Sequence, residues 1–206
     1  REYSTLDHIL VVKELIQRSE EYGESLFLVF IDFEKAFDTV EHAAVWQSLY
    51  DQGVPAKLIR TLDATYRRSK VKVLACGGDI GIDVQRGVRQ GDTISSALFS
   101  AVLEDVFRRL PWDQKGINIH GTKLSNLRYA DDIVLMSRSV KELQEMLQSL
   151  SDACNIVGLK GNQRKTFALT NRRELPLQVN GHQIAYVKEF IYLRSRISFD
   201  RNETLE

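Results

Sequence analysis

The stretch Leu26-Phe27-Leu28-Val29-Phe30-Ile31 puts six apolar residues in a row and runs straight into Asp32. A half-exposed strand alternates and an amphipathic helix repeats every three to four residues, so neither explains the run. A strand buried on both faces does. An acid at the carboxyl end of such a strand leaves the core where sheets of this kind expose their sites. Asp32 could instead cap a helix, but Asp38 or Thr39 is better placed to cap one running from about Val40 to Gln52.

The second constraining stretch runs from Leu127 to Met136. Two acids, Asp131 and Asp132, separate Leu127 from the apolar run Ile133-Val134-Leu135-Met136. Short apolar runs bounded by polar residues read as strands, and a hairpin with its tip at Ala130-Asp131-Asp132 fits. Along a regular strand, neighbouring side chains point to opposite faces; at a turn tip two acids can lean toward one site. Two close carboxylates repel, and a divalent cation between them removes that penalty. The plain alternative is a solvated turn, where Asp is common.

The 206 residues suffice for one well-packed core. Lysine plus arginine and aspartate plus glutamate both total 28, so no global field draws the chain to nucleic acid. Cys76 and Cys154 stand apart and have neither metal-ligand nor redox spacing. A reducing, intracellular setting, nucleus or cytoplasm, follows as the default, with no secretion and no membrane span.

The rest of the chain supplies the surrounding elements. Ser4-Thr5-Leu6-Asp7 has capping-box form, with Leu6, Ile9, Leu10 and Ile16 giving helical periodicity up to about Tyr22; His8 reads as a helix-surface residue. A helix from about Ala56 to Tyr66 leads into Lys57, Arg60, Arg67, Arg68, Lys70 and Lys72, opposed only by Asp63. That cluster suits either a phosphate backbone or a solvated face. Val71 to Cys76 and Ile80 to Gln85 form a strand pair, and Ser95-Ser96 opens a helix stopped by Pro111. Ser139-Val140-Lys141-Glu142 is a second capping box, followed by a core stripe through Leu143, Leu147, Leu150 and Cys154. Asn180-Gly181 marks a hairpin.

Ile31-Asp32-Phe33-Glu34-Lys35-Ala36-Phe37-Asp38 resembles motif A of reverse transcriptases, Arg89-Gln90-Gly91-Asp92 onward to Phe99 resembles motif B, and Tyr129-Ala130-Asp131-Asp132 resembles motif C. Their order and spacing fit too. The loop from Gly158 to Thr166 resembles motif D, with Lys165 as its lysine, and Phe190 to Ile197 resembles the primer-grip strand. The match runs from Ser4 to about Ile197 and is nearest to the non-LTR (LINE-like) retrotransposon enzymes. Two positions depart from the pattern: Gly161 stands where an apolar residue is usual, and Arg194 where glycine follows the Tyr-Leu pair.

The resemblance implies an α+β fold: a polymerase palm, with a ferredoxin-like or RRM-like antiparallel sheet backed by helices, and partial fingers. It implies a division into 1–170, partial fingers and palm, and 171–206, a hairpin and primer-grip-like edge, with the thumb absent. The implied activity is RNA-directed DNA polymerisation, adding dNTPs to a primer 3′-hydroxyl by two-metal phosphoryl transfer. Asp32, Asp131 and Asp132 are then the catalytic acids and, with the Phe33 carbonyl, the ligands of two Mg²⁺, with Mn²⁺ as a substitute. Phe37 is the gate against a ribose 2′-hydroxyl. Gln90, Gly91 and Lys165 meet the nucleotide; Tyr129 and Arg89 meet primer and template. Asp38 and Asp92 brace loops. Implied partners are an RNA template, a DNA primer and dNTPs, with remaining fingers, a thumb and an endonuclease domain belonging to a longer parent. The alternative is a catalytically dead relic that at most binds nucleic acid.

Overall fold

A computed structural model describes residues 4–68, 70–75, 78–89 and 91–199. The chain divides into two compact units. The first is built from residues 1–33, 110–152 and 161–206; the second from 34–109 and 153–160.

The first unit is organised on the apolar run. Helix α1 (Thr5–Glu21) starts at a complete Ser4–Asp7 capping box. Strand β1 (Phe27–Ile31) follows, buried at all five positions. It is the centre of a five-stranded sheet in which β7 (Asp132–Ser137) and β8 (Phe167–Thr170) flank it antiparallel. β6 (Asn126–Tyr129) extends one edge and β11 (Ala185–Tyr186), parallel to β8, closes the other. Leu28 and Phe30 on one face pack with Val134, Met136, Leu169, Tyr192 and Ile197, and with Val12, Leu15 and Ile16 of α1. Phe27, Val29, Ile31, Ile133, Leu135 and Ala168 on the other face are buried as well. With both faces covered, an alternating strand would bury polar groups, and the uninterrupted run avoids that cost. Each such side chain contributes about 1.5–3 kcal/mol by its removal from water.

The two ends of β1 are pinned by side chains from distant sequence. At its start, Asn171 Oδ1 accepts from Leu26 N at 2.9 Å, and Thr170 Oγ1 donates to Leu26 O at 2.9 Å. At its finish, Asp32 O accepts from Asn162 N at 2.7 Å. Smaller pairs complete the unit: β4 (Ile117–Ile119) with β5 (Thr122–Leu124), β9 (Gln178–Val179) with β10 (His182–Gln183), and β12 (Glu189–Tyr192) with β13 (Ser195–Ser198). The segment read as one primer-grip strand is therefore a hairpin. Its turn residues Leu193 and Arg194 both take positive φ, 48° and 66°. Arg194 does not prevent the bend; it adopts the left-handed conformation glycine would hold without strain.

The second unit carries α2 (Ala36–Thr39), α3 (His42–Asp51), α4 (Ala56–Arg67), the β2 (Lys70–Ala75) and β3 (Gly78–Asp83) pair, and α5 (Thr93–Arg108). Asp38 and Thr39 lie inside α2 and do not cap α3, whose cap is Glu41 with no side-chain bond. The chain turns twice in this short stretch, because Lys35 adopts a left-handed φ of 48° that ends the extended path before a helix begins. Asp92 does cap α5, accepting from Ile94 N at 3.1 Å. α6 (Val140–Ile156) has Leu143, Met146, Leu147, Leu150 and Cys154 buried. Its expected capping box is replaced. Ser139 N donates to Ser137 Oγ at 2.9 Å, and the Glu142 carboxylate accepts from Gly116 N and Ser137 Oγ. No described helix is long and apolar enough to cross a membrane.

Candidate active site

The two acidic stretches meet at one end of the sheet. β1 and β7 pair in a register that ends at Ile31 with Ile133, so Asp32 and Asp132 are the next residues on adjoining strands. β6 and β7 close as a hairpin through the Tyr129–Asp132 pair, leaving Ala130 and Asp131 as the turn. Ala130 takes a φ of 52°, the left-handed value a two-residue hairpin requires at its first turn position. The turn is thus one residue shorter than the expected Ala130-Asp131-Asp132 tip: Asp131 lies off the strand ladder, and Asp132 opens β7 opposite Tyr129.

Electrostatics register the crowding. The Asp132 carboxyl is pushed above its ordinary range, first by partial desolvation, then by Asp131, then by Asp32. Its accessible surface is considerable, yet protein backs enough of the group to disfavour the charge. Asp32 Oδ2 is buried and has no hydrogen bond. The nearest cation is Lys165, whose Nζ stands 3.8 Å away, within ion-pair range and beyond hydrogen-bond reach. Lys165 is mostly exposed, so this pair adds little stability.

The backbone of Lys165 is held by a turn at Asn162, a residue to which the sequence reading gives no role. Asn162 O accepts from Lys165 N at 3.1 Å and from Thr166 Oγ1 at 2.9 Å, while its Oδ1 takes Arg164 N at 3.2 Å. With Asn162 N held on Asp32 O, the turn fixes the lysine relative to the end of β1. Phe33 is buried and bridges antiparallel to Gly161. A Cβ at Gly161 would meet nothing within 4 Å, so the departure there leaves room rather than a clash.

A second overlooked element braces the hairpin from beneath. His8 is buried, not on the helix surface. Its ring meets Tyr129 edge-on at 5.9 Å, and its Nδ1 is 3.5 Å from the Tyr192 hydroxyl. Tyr192 is 2% exposed, packs on Phe30 at 5.4 Å, and has its phenol pushed up by burial first and by Asp132 second. The helical phase explains the error. His8, Val12, Leu15 and Ser19 form the buried stripe of α1, while Leu6 and Leu10 are about two-thirds exposed. Burial likewise depresses the imidazole pKa, with Asp7 opposing.

The remaining expected site residues belong to the second unit. Phe37 is half-buried and stacks on Phe99 at 4.8 Å. Phe37 O accepts from Val88 N at 2.6 Å, and Val40 O from Gly87 N at 2.8 Å, lacing the segment before Arg89 to the motif A segment. Gly87 is obligatory there: its φ is 87° and a Cβ would stand 2.7 Å from Asp38 O. Arg89 is exposed. Gly91 also has a φ of 87°, with open space where its Cβ would be. Gln90 lies outside the described residues. Burial pushes the Cys154 thiol up to about 12, so it is inert.

Among the described residues, no group of three His, Cys, Asp or Glu side chains is placed to hold a metal ion. The donor set is nevertheless suited to a hard cation. Asp32 and Asp132 leave adjoining strands side by side, with Asp131 next in the turn; Asp32 has a buried oxygen without a hydrogen bond, and the Asp132 charge is disfavoured by desolvation, then by Asp131 and Asp32. Mg²⁺ keeps several waters and needs few protein ligands.

Residues 3–193 match the family described as reverse transcriptase (RNA-dependent DNA polymerase). Two Pol polyproteins of R2 retrotransposable elements are similar. That of Nasonia vitripennis is 32% identical over 178 residues, 84% of this chain and 17% of the relative. That of Drosophila melanogaster is 30% identical over 164 residues, 79% of this chain and 15% of the relative. The chain thus spans about a sixth of these relatives. Apo telomerase of Candida tropicalis, truncated from its C-terminal domain, superposes with a TM-score of 0.66 at 15% identity, covering 93% of this chain and 37% of that one. This last likeness concerns the fold, an α+β palm-and-fingers arrangement. Taken with the sheet and its acidic end, these matches establish that the chain belongs to the reverse transcriptase family, of the non-LTR retrotransposon type.

Proposed function

We propose that this chain is the polymerising part of a longer retrotransposon protein, extending a DNA primer with dNTPs on an RNA template inside the cell. The observation that carries the reading is the meeting of Asp32 and the Asp131-Asp132 tip, with Asp32 Oδ2 buried and unbonded. Asp32, Asp131, Asp132 and the Phe33 carbonyl would hold Mg²⁺, or Mn²⁺ in its place. Bound there, the divalent ions supply the charge neutralisation that phosphoryl transfer requires and favour ionisation of the attacking hydroxyl.

The chain's own residues do the rest. Asp32 and Asp131 orient the reacting groups, and the braced hairpin keeps them from drifting. Lys165 offers a cation, and a proton, to the departing pyrophosphate. Phe37 excludes a 2′-hydroxyl by bulk. Gln90, Gly91 and Arg89 support the templated base pair, and Tyr129 lies along the primer end. The division into a palm with partial fingers and a primer-grip edge belongs to the same reading.

Primer extension on poly(rA) by the full parent protein tests it. Activity in the wild type, and its loss in Asp131→Ala, is the expected result. Unchanged incorporation by that variant overturns the assignment of the site. RNA binding without extension by the wild type identifies a relic.

A further inference from the structure

Helical arginines in this chain pair with an acid one turn back: Arg18 with Glu14 at 2.6 Å, Arg67 with Asp63 at 2.8 Å, and Arg108 with Glu104 at 3.0 Å. Arg60 of α4 and Arg68, which caps that helix, break the pattern. Four residues before Arg60 and Arg68 stand Ala56 and Ala64. With Lys57 they form a line of cations, all exposed, that make no ion pair among the described residues.

The line borders a groove of about 620 Å³ lined by Lys57, Arg60, Thr61, Ala64, Thr65 and Arg68. The threonine hydroxyls donate back to helix carbonyls, Thr61 to Lys57 O and Thr65 to Thr61 O. The charged groups are what remain to meet a ligand. Ala64 keeps the floor low between them.

We propose that this face of α4 is a docking surface for the phosphate backbone of an RNA strand. The inference rests on the reading that the chain works on RNA and adds a surface outside the acidic site. Charge complementarity selects the occupant. The chain as a whole is neutral, so these cations are a local concentration and not part of a uniform field. From Lys57 to Arg68 the helix rises about 16 Å at 1.5 Å per residue. That length matches roughly five phosphates at 3.4 Å per nucleotide. The groove holds no aromatic ring to stack a base and no large apolar anchor of the kind a protein partner buries. Binding there is therefore independent of sequence and acts through charge.

The test is the salt dependence of single-stranded RNA binding by the full protein, in EDTA, with mixed-sequence RNA. Three lost phosphate contacts reduce the slope of log K against log salt by about 2, a difference of about 20-fold in affinity between 50 and 200 mM. Lys57→Gln/Arg60→Gln/Arg68→Gln should show that reduction, while Arg60→Lys/Arg68→Lys should retain the wild-type slope. A triple variant with an unchanged slope overturns the proposal. So does a loss seen equally with polyglutamate or anionic vesicles. Asp131→Asn should keep the full slope, which separates this result from any failure of the polymerase reading.

Discussion

Asp32 and Asp132 continue one register past the Ile31–Ile133 pair, so neighbouring strands deliver two carboxylates to the same end of the sheet. Asp132 bears a raised pKa, first through desolvation, then through Asp131 and last through Asp32. A carboxyl raised in the folded state favours folding while protonated, and that contribution is lost as pH rises through the folded value. At neutral pH the ionised group opposes folding. Asp132→Asn should accordingly stabilise the cation-free protein, with solvent screening holding the gain to about 0.5 kcal/mol. Urea unfolding in EDTA measures it. The same substitution at Asp32 should slow primer extension by roughly 10³-fold, several kcal/mol on the barrier.

His8 gives the opposite pH behaviour. Its ordinary value is 6.5, and burial lowers it in the folded chain. The unfolded chain therefore binds the proton first as pH falls below 6.5. Stability present above that value is lost on acidification through the folded pKa, at no more than about 1.4 kcal/mol per pH unit. Chemical denaturation between pH 7 and 5 should show this loss, and His8→Gln should flatten that part of the profile.

Tyr192→Phe removes one hydroxyl beneath the acidic hairpin and keeps the ring against Phe30. Loss of the long bond to His8 should cost about 1 kcal/mol of stability at most. If the brace positions the hairpin, kcat should fall while the dNTP KM holds. Steady-state kinetics on a primed RNA template distinguish this from a purely structural effect.

The Leu193–Arg194 turn holds two non-glycine residues at positive φ. Leu193→Asn/Arg194→Gly relieves that strain and should raise stability by about 1 kcal/mol. The urea midpoint should move with an unchanged m-value.

Two glycines, Gly87 just before motif B and Gly161 in the motif D loop, should respond oppositely to alanine. Gly87→Ala forces a Cβ to within 2.7 Å of Asp38 O at a φ of 87°, and should cost more than about 2 kcal/mol. Gly161→Ala meets nothing and should gain about 0.5 kcal/mol through the unfolded state. Thermal melts of the pair suffice.

What the sequence discloses follows from how local each signal is. The buried strand, the acidic hairpin and the Asn180-Gly181 turn are written in adjacent residues, and each forms where its pattern places it. The phase of α1 is not local. Leu6, Ile9 and Leu10 make a plausible apolar stripe, but Val12, Leu15 and Ile16 face the sheet core, and His8 turns inward with them. Asn162 is silent for a related reason, since its work is to bind a carbonyl 130 residues earlier. The short helix at Ala36–Thr39 depends on one left-handed lysine, which no periodicity announces.

The partners of β1 have a consequence for biosynthesis. Phe27 pairs with Ser137 on one side and Thr170 on the other. At 5–20 residues per second, roughly 7–30 s pass between translation of the central strand and that of its last neighbour. For the first 110 residues of that interval, until Ser137 is made, the six consecutive apolar residues have no native strand partner. The nascent chain must be shielded there, and its yield in a cell should depend on holding chaperones more than on the stability of the finished fold.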